Sequence, residues 1–324
     1  MPDTLQEQFT KYLADVHSIE EQALQQLRRA PDIAGDEVLA GCFREHLTET
    51  EDQQRRVRER LEARAAAPSR LKDLIAGAGG FGMILFARSQ PDTPGKLTAH
   101  AFSYEHLELA AYELLAVAAE RAGDRETAAV ARSIREQESA MAGRLEANFD
   151  RAVHESLQGV ESADLTGQLT SYLGDAHAIE SQSLQLLEQA PDIAGDPDLA
   201  KVFNDHLEET RSQRAAVEAR LEAHGATPSR FKDALLRIGG VNLVGFFGAQ
   251  PDTPPKLAGF AFAFEHLEVA AYELLQRVAL LAGDPETVRI AKRIAKEERT
   301  AAAAIRAGFE PALLTALRER DVTA

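Results

Sequence analysis

The sequence predicts an all-α protein made of two tandem units, each with four long helices. Three observations carry that prediction. The 324-residue chain repeats itself at an offset of 160 residues without a gap. Within each copy, apolar residues recur at helical spacing through four long stretches. The composition also suits Ala- and Leu-rich helices, with no Trp and only 6% aromatic residues beside 44% hydrophobic ones.

The repeat is legible by eye. YLADVHSIEEQALQQL at 12–27 returns as YLGDAHAIESQSLQLL at 172–187, and APDIAGD at 30–36 returns at 190–196. PSRLKD at 68–73 returns as PSRFKD at 228–233, QPDTP at 90–94 at 250–254, and EHLELAAYELL at 105–115 as EHLEVAAYELL at 265–275. The duplication sets the domains at 1–155 and 160–324. The boundary is placed in DRAVHESLQGVESAD, 150–164, where apolar periodicity fades.

In each copy the first helix is expected over about 4–29, stopping before Pro31. The second spans about 37–65 behind the N-cap Asp36, and the second copy supports that start with Asp196-Pro197. The third runs over about 96–122 and stops at Gly123. The fourth covers about 125–149 behind Asp124, matched by Asp284-Pro285. Between the second and third lie some thirty residues rich in Gly and Pro, read as one or two short helices in a crossover. Two tight joints around one long connection match a ferritin-like bundle better than an up-and-down one.

Helical projection puts acidic residues where a core is expected. Glu20 falls among Leu5, Phe9, Leu13, Val16, Ala23 and Leu27; Glu105 falls among Phe102, Leu109, Tyr112 and Ala116. Glu138 falls among Ala131, Ile134, Met141, Leu145 and Phe149. The outward Glu136 becomes Lys296 in the second copy, whereas Glu138 persists as Glu298. On the second helix, His46 flanks the stripe and Glu49 lies further round, three residues on and within reach of the same point. Ionised carboxylates lose hydration worth several kcal/mol each on burial. A single such Glu is more often paired with an Arg or His, but four helices each contributing one, twice over, point to protons or a cation held among them.

The expected metal ligands are Glu20, His46, Glu49, Glu105 and Glu138, with Glu180, His206, Glu209, Glu265 and Glu298 in the second copy. His17, Glu108 and Tyr112, with His177, Glu268 and Tyr272, are further candidates or outer partners. Glu108 lies about 60° off the stripe. Tyr112 is read as a core residue that could hydrogen-bond a ligand carboxylate. Oxygen-rich sites with an imidazole suit Fe, alternatively Mn or Zn, at one or two ions per half. No particular residue is assigned a catalytic role.

The net charge of −16, from 36 basic and 52 acidic residues, speaks against a nucleic-acid surface, which needs a basic patch. Cys42 stands alone, so neither an internal disulfide nor a thiolate metal cage can form. No signal peptide or membrane span is expected, and a cytoplasmic location follows.

The chain resembles the YciE/YciF family of ferritin-like proteins over nearly the whole of each half. The resemblance rests on YLADVHSIEEQ, FREHLTET, PSRLKD, YEHLELAAYELL with AGD after it, SIREQES, and their second copies. It implies a four-helix ferritin-like bundle, usually dimeric, that binds metal and is associated with bacterial stress response. The usual di-iron signature places Glu-x-x-His on two helices. This chain carries His46-x-x-Glu49 instead and has no His on its fourth helix, so either a nitrogen ligand comes from His17 or His46 or one metal position is oxygen-rich and weaker. The expected activity is oxidation of Fe(II) by oxygen or peroxide. The alternatives are a non-catalytic structural or interaction protein with proton-holding carboxylates, or a manganese-dependent peroxide scavenger. The two bundles are expected to pack as a pseudo-twofold pair, making the monomer an internal dimer or part of a higher homo-oligomer. GGFGMILFA at 79–87 and GGVNLVGFF at 239–247 are the expected contact segments.

Overall fold

The computed structural model describes residues 5–64, 93–227 and 253–318. Both apolar segments expected to join the halves lie outside these residues. Among the described residues every regular element is helical. The chain divides into two compact units, the first running to Leu157 and the second from Gln158 to Ala316.

In the first unit the helices are α1 (Leu5–Leu27), α2 (Ala30–Ile33), α3 (Glu37–Ala63), α4 (Thr93–Arg121), α5 (Arg125–Glu146) and α6 (Phe149–Ser156). In the second they are α7 (Leu165–Leu187), α8 (Ala190–Ile193), α9 (Pro197–Ala223), α10 (Thr253–Leu281), α11 (Pro285–Ala307) and α12 (Phe309–Arg318). A short 3-10 turn, Ser162–Asp164, precedes α7.

Local chemistry fixes the ends. Asp36 Oδ1 accepts from the Val38 and Leu39 amides at 2.8 and 3.0 Å and opens α3. Asp124 accepts from the Thr127 amide at 2.9 Å and opens α5. These are N-caps, each satisfying amides that have no partner within the helix. Gly123, at φ 77, lets the Asp124 amide turn back to the Ala119 carbonyl at 2.9 Å. That closure ends α4. α1 ends earlier than expected, at Leu27, and Pro31 then sits in the first turn of α2, where a missing amide costs nothing.

In each unit four long helices close a ring. α1 packs on α3 and α4, and α5 packs on the same two; α7, α9, α10 and α11 repeat this. Hydrogen bonds set their directions. Arg64, at the end of α3, reaches the Gln6 carbonyl at the start of α1, and Gln6 reaches the Ala122 carbonyl just past the end of α4. Arg60, near the end of α3, holds Thr127 and Asp124 at the start of α5. At the other end, the Gly95 amide in the first turn of α4 donates to Ser156 Oγ in α6 at 2.7 Å. Thus α1 and α5 run one way, α3 and α4 the other, and Arg64 and Thr93 lie at opposite ends of the unit.

The fourth helix also differs from expectation. It breaks at Ala147–Asn148, and DRAVHES, where the pattern faded, forms most of α6. Phe149, Ala152 and Val153 are buried there, with Phe149 edge-on to Phe102 at 5.4 Å. The second copy repeats the device with Phe309 against Phe262 at 5.5 Å.

Candidate metal centre

The four helices bring acidic side chains together in mid-bundle. α3 buries the ladder Phe43, His46, Thr50, Gln53, Val57 and Leu61, leaving Leu47 half-buried. His46 thus lies on the buried face rather than at its flank. α5 buries Ile134, Glu138, Met141 and Leu145, as the projection predicted. α1 buries Glu20 between Val16 and Ala23.

α4 departs from the projection. Packed against α1, α5 and α6 at once, it is buried on more than one face. Glu108 is 1% exposed, while Leu109, expected in the stripe, is only half-buried. A helix covered on several sides has no single apolar stripe, so its angular centre misplaces Glu108. The spacing Glu105-x-x-Glu108 was the available signal, because residues three apart share a face.

His46, Glu105, Glu108 and Glu138 each offer a ligand atom, and these atoms lie within 4.8 Å of one another; His206, Glu265, Glu268 and Glu298 do the same. Both groups are buried and could hold a metal ion. His46 Nε2 lies 3.1 Å from Glu105 Oε2 and 3.3 Å from Glu138 Oε2. Neither contact has hydrogen-bond alignment: His46 Nε2, Glu105 Oε2, both oxygens of Glu138 and both of Glu108 lack hydrogen-bond partners. Lone pairs that converge without a donor between them fit a cation. The second half repeats this with His206 Nε2 at 2.8 Å from Glu265 and 3.2 Å from Glu298.

Glu20 adjoins the group. It is fully buried, Tyr112 donates a hydroxyl hydrogen bond to its Oε1, and its Oε2 has no hydrogen-bond partner. Tyr272 and Glu180 repeat this pair. Burial pushes the Glu20 carboxyl up to about 8, against the Tyr112 hydrogen bond and the His46 charge. Burial, then the neighbouring carboxylates, holds Glu108 and Glu138 well above the usual carboxylate range. Burial alone would lower His46, but the Glu105, Glu49 and Glu138 carboxylates carry it up to about 11.

Glu49 stands outside the four. It accepts from His46 Nδ1 at 3.0 Å and from Arg144 Nη2 at 2.6 Å, so it holds the ring from behind. The His46 bond, then Arg144, hold its carboxyl down at about 2 against partial burial. Glu209 likewise faces His206 Nδ1, at 3.3 Å. His17 is buried but is not one of the four. His177 points its Nε2 at Glu218 Oε1, 2.9 Å away, instead of into the group.

A chain in two similar halves, all-helical among the described residues, each half with a buried His/Glu group able to hold a metal ion, is the class that the fold and site define. A family model described as "Domain of unknown function (DUF892)" matches residues 4–158 and again 165–317. The chain belongs to that family. No solved structure matches it. No helix among the described residues is long and apolar enough to cross a membrane.

Proposed function

We propose that each half is a ferritin-like bundle of the YciE/YciF kind that binds iron or manganese, and that the protein oxidises Fe(II) with oxygen or peroxide. The helix directions support the bundle: a tight α4–α5 turn, and an α3–α4 step that joins opposite ends of the unit. The observation that carries the metal reading is the set of buried carboxylate oxygens without a hydrogen donor. Glu105, Glu108, Glu138 and His46 would hold the ion, with Glu20 as the fifth contributor, steadied by Tyr112. Oxygen ligands with one imidazole suit Fe and Mn, and Zn less selectively. A redox-active ion bound there would supply electron transfer to oxygen or peroxide. The chain itself shields the site with Phe43, Ile134 and Met141, all fully buried. Two such sites cannot form a storage shell, so turnover rather than bulk storage is the role.

Protein purified without chelator, loaded anaerobically with Fe(II) and then given oxygen or peroxide, tests both parts. Uptake of at least one ion per half, followed by an absorbance rise, is expected. Uptake without oxidation removes the enzymatic part, and failure to take up metal removes the whole reading. Peroxide consumption by Mn(II)-loaded protein tests the manganese version. A second reading, a non-catalytic structural protein, is favoured by the raised pKa values of Glu20, Glu108 and Glu138, which let protons neutralise the group. That protein would bind metal at neither half.

A further inference from the structure

The halves agree in the four-residue group and differ in what stands behind it. In the first half Glu49 is clamped by Arg144, with Nη2 to Oε2 at 2.6 Å and Nη1 to Oε1 at 3.4 Å. The equivalent of Arg144 in the second half is Ala304. Glu209 is consequently 56% exposed against 31% for Glu49, and its contact with the ring lengthens from 3.0 to 3.3 Å. A second difference faces the group itself. Ser183 donates to Glu268 Oε2 at 3.4 Å, but its counterpart is Ala23, and Glu108 keeps two partnerless oxygens.

We propose that the two halves are unequal metal sites, the first the tighter, and that Arg144 is the positioning residue that sets the difference through Glu49 and His46. This rests on the metal reading above. A ligand imidazole whose far N–H is fixed gives up less freedom on binding and keeps the right nitrogen free, and such outer partners alter affinity about 10- to 100-fold. The Arg144 guanidinium cancels part of the Glu49 charge. That charge sits one residue back and partly in solvent, where it is screened, whereas ring orientation acts at the ligand bond. The group in the first half also has more to gain from a cation, since Glu108 has no donor where Glu268 has Ser183.

The test is anaerobic titration of the full chain with Mn(II), followed by calorimetry. Glu138→Gln disables the first half and Glu298→Gln the second, with circular dichroism confirming that both variants fold. The chain is expected to show two affinity classes, the tight one surviving in E298Q and the weak one in E138Q. Adding Arg144→Ala should weaken binding about 10- to 100-fold in E298Q and leave E138Q unchanged. Adding Ala304→Arg to E138Q should tighten it. Equal affinities in the two halves, a tighter second half, or an equal effect of Arg144→Ala on both would overturn the inference alone. Absence of Mn(II) binding by the unmodified chain would overturn the inference, and failure of the anaerobic Fe(II) loading as well would overturn the metal reading with it. Anomalous scattering from crystals given one Mn(II) per chain needs no variant: the ion should occupy the first half, and equal occupancy would overturn the proposal.

Discussion

Glu20 shows what a single residue demands of this fold. Its carboxyl is raised from 4.5 to about 8 because it is wholly buried. Between those values the folded chain holds a proton that the unfolded chain has released. Stability of the metal-free protein must therefore fall as pH rises from 4.5 towards 8, and Glu108 and Glu138 add the same sign. Thermal melts in chelator across that window should show the decline, while metal affinity should rise with pH as protons are displaced. Glu20→Gln keeps an acceptor for Tyr112 and removes the buried acid. At pH 8 the metal-free variant should gain on the order of 1–3 kcal/mol in denaturant titrations, yet lose metal affinity. At this scale the sequence was informative for Glu20, Glu105 and Glu138, because α1 and α5 each present one buried face and Glu105 lies in the middle of α4. It was less so for Glu108, since α4 is covered on several sides. For Glu49, spacing put its carboxylate beside His46 but could not show that Arg144, almost a hundred residues later, clamps it behind the ring.

At the scale of elements, helix ends carry both local and tertiary bonds. Asp124 caps α5 through the Thr127 amide and also receives Arg60 from α3, at 3.3 Å. Asp124→Ala should cost about 1–2 kcal/mol, the upper part of the range for a cap, read as a lowered denaturation midpoint. Gly195 has φ 66, and a Cβ there would stand 2.6 Å from Pro254 Cγ; at Gly35 the nearest atom would be 3.4 Å away. Left-handed backbone costs either alanine variant about 1–2 kcal/mol, and the clash should make Gly195→Ala the more damaging of the two by the same assay. The caps were plain in the sequence because Asp before a helix, and Pro just inside it, have local causes. The α6 helix was not. Its apolar pattern spans two turns, too short for periodicity, and it is held by packing Phe149 on Phe102 across the unit.

At the scale of the whole molecule, a net charge of −16 surrounds the two acidic groups. Such a field raises the local cation concentration and is screened by salt. Stopped-flow mixing with Mn(II) should show association slowing severalfold between about 0.02 and 0.5 M salt. The two-repeat organisation was evident from the sequence, and both family matches follow it. A protein assembled from two identical chains must carry every substitution in both. Here Arg144 corresponds to Ala304 and Ala23 to Ser183 at the 160-residue offset. Duplication within one chain has freed each copy to drift alone, so one can specialise while its sibling keeps the older duty.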